Sequence, residues 1–131
     1  VAVVSEAIHA RLTGYEALNT AISGRVYAGV MPMNPTLPAV TYQILGRDRE
    51  HFLGGADAAE NTSQVQVNSW AATFGACSVI AEHVRAALQD WSGTAEAVTV
   101  DAVYLENEMT LYESSTRRHR VLHSFVVWAR E

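Results

Sequence analysis

His119 and His123 stand four residues apart, Glu106 and Glu108 two apart, and "RRHR" fills residues 117–120. A histidine pair at that spacing suits a metal ion on a helix. Residues 118–129, "RHRVLHSFVVWA", alternate apolar and polar positions as a strand does. In a strand four residues span about 13 Å, which is too far for two ligands of one ion. Glu106 and Glu108 would share a strand face, and a carboxylate pair can act as general acid and base. No second polar cluster points to a pocket around them, so they read as a solvated acidic turn. Cys77 falls on an apolar helical stripe with no basic residue placed to lower its pKa, so it reads as a structural thiol. Gly54-Gly55 lacks both the spacing and the following Lys of a phosphate loop. What remains is "RRHR". It suits contact with DNA or with an acidic partner surface, or it protects an edge strand from aggregation. No catalytic residue, metal or cofactor is expected.

Composition narrows the classes further. The chain has 131 residues, 49% of them hydrophobic and 18% charged, which excludes gross disorder and predicts one domain over residues 1–131. A net charge of −5 argues against a general nucleic-acid binder. One cysteine permits no intramolecular disulfide. No apolar run reaches the roughly 20 residues of a membrane span. The opening "VAVVSEAIHARL" carries Glu6 and His9 and reads as a helix rather than a secretory leader.

The elements follow from periodicity. Val4, Ala7, Ile8 and Leu12 recur at helical spacing, and "YEALNTAI" continues as a short turn up to Ser23-Gly24. "MPMNPTLP", residues 31–38, holds all three prolines and reads as an irregular connection. Val40, Tyr42 and Ile44 then share one face of a strand, opposite Thr41 and Gln43. Residues 46–61, "GRDREHFLGGADAAEN", show no period and read as a long hairpin loop, either functional or mobile. Val65 and Val67 alternate with Gln64, Gln66 and Asn68 in a second strand. A helix begins near Thr73, with Cys77, Ile80, Ala81, Val84, Leu88 and Trp91 as its stripe, and stops at Ser92-Gly93. "AVTVDAVYL", residues 97–105, is a third strand and 118–129 a fourth. The expected fold is α+β: an antiparallel sheet of about four strands with two main helices on one face, in the order α-β-β-α-β-β.

"GRVYAGVMPMNPTLPAVTYQIL", "VQVNSWAATFGACSVIAEHVRAAL" and "HRVLHSFVVWA" together resemble the tail-completion, or tail-terminator, proteins of long-tailed bacteriophages and related prophages. The likeness lies in the order and spacing of these segments over most of residues 8–129. The resemblance implies a non-enzymatic structural protein that forms a homohexameric ring at the head-proximal end of the tail tube. Such a ring ends tube growth and offers a surface to head-completion or neck proteins, with DNA passing its lumen. It would sit in the virion and assemble in the host cytoplasm, away from membranes. The expected contact residues are Arg47, Asp48, Arg49, Glu50 and His51, with Phe52 and Leu53 as an apolar anchor that orders residues 46–60 against a neighbour or the tube. Arg118 and Arg120 should share one strand face, Arg117 and His119 the other. One of these pairs is expected to meet an acidic surface, either Glu106, Glu108 and Glu113 of a neighbouring subunit or the tube. The alternatives are another head-tail connector, or a small ligand-binding or enzymatic α+β domain. A ring subunit would leave strand edges or apolar patches open, where a monomeric enzyme would hide them.

Overall fold

The computed structural model describes residues 4–33, 36–51, 57–96 and 98–130. Helices α1 (Val4–Gly14), α2 (Glu16–Ile22) and α3 (Phe74–Leu88) pack with a six-stranded sheet of β1 (Val26–Ala28), β2 (Ala39–His51), β3 (Asp57–Ala71), β4 (Gly93–Ala95), β5 (Val98–Glu113) and β6 (Arg118–Arg130). The strand order is β1-β2-β3-β6-β5-β4, with β1 parallel to β2 and every other pair antiparallel. The expected four-stranded antiparallel sheet with two main helices is therefore incorrect. Among the described residues the sheet is mixed, six-stranded and curled into a half-barrel, with three helices. The two extra strands are three residues each. "VYA" escapes a periodicity argument because only its neighbour defines it, through the pairs Val26↔Val40 and Ala28↔Tyr42. "GTA" likewise becomes a strand only by folding back on Val98–Val100. The sequence "YEALNTAI" is a separate helix, stopped where Ser23 takes a left-handed conformation.

The helix-facing side of the sheet carries the core. Val40, Tyr42, Val65, Val67, Val103, Phe125 and Val127 meet Val4, Ile8, Leu12, Leu18, Ile22, Ile80, Val84 and Leu88 in one buried cluster. The alternation expected for β2, β3 and β6 holds, because burying one face fixes the register of every strand. Thr73 caps α3 as expected, its hydroxyl accepting the Ala76 N–H at 3.2 Å. The helix ends at Leu88, before Ser92-Gly93, so Trp91 packs on the core from outside the helix. Arg11 closes that end, donating to the Ala87 carbonyl at 2.7 Å with its guanidinium over the Trp91 and Tyr15 rings. A cation at a helix C-terminus satisfies an orphan carbonyl and the helix dipole together.

Both hairpins run longer than the sequence indicates. Arg47 to His51 pair with Ser63 to Asp57, so most of the expected 46–60 loop is paired strand, and only residues 52–56 lie outside the described residues. The acidic stretch after Leu105 is strand to Glu113. β-Bulges interrupt the register at Ile44/Gly46, Arg49/His51, Val100/Ala102 and Leu105/Asn107. Such bulges bend strands and increase local twist, which fits a curled sheet. The β2–β3 and β5–β6 hairpins point to opposite ends of the sheet, because β2 and β6 run the same way on either side of β3.

Candidate assembly surfaces

Three surfaces gather the polar and exposed apolar residues that the core does not use. The first is a groove on the helix-free face of the sheet. The face is built by residues one step out of phase with the core: Thr41 and Gln43 of β2, Gln66, Asn68 and Trp70 of β3, and Arg118 and Arg120 of β6. The segment Gly29–Pro32 closes one side of a cleft of about 350 Å³. The Trp70 indole donates to the Thr41 hydroxyl at 3.0 Å, and the Arg120 guanidinium lies 5.2 Å from the Trp70 ring. Gln43 donates to Gln66 at 2.7 Å. Asn68 Oδ1 and Arg120 Nε are buried without a hydrogen-bond partner. A desolvated acceptor beside a desolvated cationic donor leaves unused hydrogen-bonding capacity at this groove. Beside it stand Val30 and Met33, 82% and 93% exposed.

The second surface is the far half of the β5–β6 hairpin, where most of the residues from Glu106 to Glu113 are exposed. Glu106 is exposed at the Leu105/Asn107 bulge. Glu113 lies opposite Arg118 and accepts from the Thr116 hydroxyl at 2.8 Å. The acid expected to meet an arginine on a neighbouring subunit thus already has one as a cross-strand neighbour in its own hairpin. Arg118 and Arg120 do share a face. Arg117 does not share the other with His119, because it sits in the turn with φ of 56°. His119 instead stacks among Tyr112 and Phe74, ring centroids 4.8 and 6.1 Å away. Phe74, Tyr112, Tyr104 and Met109 all leave large apolar area exposed.

The third surface lies at the opposite end, where Arg47, Asp48, Arg49, Glu50 and His51 form the distal part of β2. Phe52 and Leu53 lie outside the described residues.

His123 lies apart from these surfaces. It is fully buried on the core side of β6, its Nε2 3.6 Å from Glu108, a separation too long for a hydrogen bond. Neither ring nitrogen has a hydrogen-bond partner. Burial pushes the imidazole below its ordinary pKa, although the Glu108 and Glu82 carboxylates pull the other way; the Arg85 guanidinium adds to the depression. The only sequence signal was a histidine at a core position of an alternating strand. His119 and Glu108 share its sheet face. The charged pair on α3, Glu82 with Arg85 at 2.7 Å, is open to solvent and adds little stability.

Open polar and apolar area of this kind suits contact with other proteins. Among curated proteins none matches the chain. A chain from a solved structure described as "Virion of native gene transfer agent (GTA) particle" shares the fold, with TM-score 0.73 and 12% identity, covering 95% of this chain and 92% of its own. The family described as tail completion protein gp17 matches residues 6–130. With that match spanning nearly the whole chain, and a fold that recurs in a virion particle, the protein belongs to the tail completion protein gp17 family, structural proteins of the phage tail.

Proposed function

We propose that this chain is the subunit of a closed ring, six copies around, that caps the head-proximal end of the tail tube. The ring stops tube growth and gives the head-completion or neck proteins their docking surface, and its lumen passes DNA. The observation that carries this reading is the family match over residues 6–130, on a chain whose sheet leaves long edges open and whose two hairpins point to opposite ends of the sheet. A subunit wedged between a tube and a neck needs contacts at two opposite ends and along both sides. The Arg118–Arg120–Trp70 groove and the exposed Val30 and Met33 form one contact surface, and the distal β2–β3 hairpin another.

The test is removal of the chain from a phage-producing cell followed by electron microscopy. Tubes of irregular, excessive length that fail to join heads are the expected outcome. Tails of normal length lacking only the head would indicate a neck subunit instead. Electron cryomicroscopy of intact tails should count six copies at the head-proximal end, and a single copy there would overturn the ring.

A further inference from the structure

Two stretches of strand have no neighbour on their outer side. β1 covers β2 only from Val40 to Tyr42, and β4 covers β5 only from Val98 to Val100. Among the described residues, no strand lies on the outer side of β2 from Gln43 to His51, or of β5 from Tyr104 to Glu113, and before Tyr104 the Asp90 N–H takes the Val103 carbonyl at 3.0 Å. These edges lie on opposite sides of the sheet. Long open edges present rows of backbone donors and acceptors that recruit another strand unless the design prevents it. We propose that the open edge of β2 in one copy pairs, antiparallel, with the open edge of β5 in the next, so that the ring closes around one continuous sheet. The inference rests on the ring reading above and names how its subunits join.

Direction, charge and stagger each support a second copy as the occupant. Rotation about a ring axis along the sheet preserves strand direction, so the β5 of the next copy runs antiparallel to β2, as β3 does. The free part of β2 reads "QILGRDREH", and the free part of β5 carries Glu106, Glu108 and Glu113 with no basic residue. One antiparallel register alone sets both Arg47 opposite Glu108 and Arg49 opposite Glu106. It aligns Gln43–His51 with Tyr104–Tyr112, all of them residues without an outer neighbour, and opposes no like charges. A slip of one residue either way sets Asp48 against Glu106 or Glu108, which is repulsive.

The same register has the stagger of a closed barrel. Within one copy a straight row crosses Tyr42, Val67, His123 and Glu108. At the joint, Glu108 of the next copy instead meets Arg47, a shift of five residues, or roughly 17 Å at about 3.3 Å per residue. From one β5 to the next there are four strand spacings, roughly 19 Å. That ratio tilts the strands about 40° from the ring axis, inside the roughly 35–45° range of closed barrels. The charges chose this register without reference to tilt.

The test is disulfide trapping in assembled tails. Asp48→Cys and Asn107→Cys, in a Cys77→Ala background, put opposed positions within the roughly 4.4–6.8 Å Cα separation a disulfide needs. Oxidation should link chains into a ladder up to the full ring, at a rate at least about ten-fold above an off-register control, Asp48→Cys with Leu111→Cys, whose Cα atoms would lie roughly 13 Å apart. Electron cryomicroscopy of unmodified tails supplies a second arm free of any folding defect. Strand density continuous from copy to copy supports the proposal. A ring in which β2 and β5 of neighbours stand apart, or in which the control links as fast, overturns edge pairing and leaves the ring intact. A single copy per tail overturns the ring and the joint together.

Discussion

His123 is the residue whose surroundings make the sharpest solution prediction. Burial holds its folded-state pKa below the ordinary value of 6.5, while the unfolded chain takes up a proton near that value. The unfolded state therefore binds more protons in the window below about 6.5, and stability is lost as pH falls through it. The urea midpoint should be lower at pH 5 than at pH 7.5, and His123→Gln should flatten that difference. An unchanged pH slope in His123→Gln would assign the effect to other groups. Arg117 makes a second prediction. Its φ of 56° belongs to the left-handed region, where Asn is tolerated and β-branched residues are strained. Arg117→Asn should leave the thermal midpoint nearly unchanged, while Arg117→Ile should lose on the order of 1–2 kcal/mol. Equal midpoints would show that the turn relaxes. The same pair separates backbone from charge, since both variants remove the guanidinium. The paired reversal Arg118→Glu with Arg120→Glu is a less clean probe, because Arg120 also stacks on Trp70 and places its Nε in a buried position.

Helix α3 shows how an element positions what lies beyond it. Its first turn is fixed by the Thr73 cap and its last carbonyls by Arg11. Between them Ile80, Val84 and Leu88 seat the helix on the sheet. Thr73→Ala should cost about 1 kcal/mol, read as a lower urea midpoint at constant slope. A change in slope instead would mean that the denatured state had moved. Phe74, Tyr112 and His119 form an aromatic patch at the N-terminal end of α3 rather than part of the core. The distal half of β5, largely exposed, is held by its pairing with β6.

Across the whole molecule stability should be graded. β3 and β6 are paired on both sides along most of their length, whereas β2 and β5 are paired on one side over their distal halves. Amide exchange on the single-chain form should be slowest in the central parts of β3 and β6. It should be fast at alternate, outward-facing amides of Gln43–His51 and Tyr104–Glu113. Assembly should slow those outward amides. Protection in the single chain as strong along distal β5 as along β3 would contradict the graded picture and show an edge already covered.

The core faces and most of the packing elements are legible in the order of residues alone. Val4, Ala7, Ile8 and Leu12, the alternation through Val65–Asn68 and Val121–Val127, and the α3 stripe with its Thr73 cap all sit where periodicity places them. Those features are local, because burial against one neighbouring layer imposes a period of two or 3.6 on the residues themselves. The order and spacing of whole segments likewise carried the family. Where strands end and which residues meet depends on contacts between distant segments. "GRDREH" and "ENEMTLYE" are dominated by charged and polar residues, so they give no sustained apolar alternation and read as loop, although both are strand. β1 and β4 exist only through their partners. The burial of His123, the Trp70–Arg120 groove and the two uncovered edges depend on register across strands far apart in sequence. Nothing within a single segment encodes that register, because pairing is a property of two chains of residues at once.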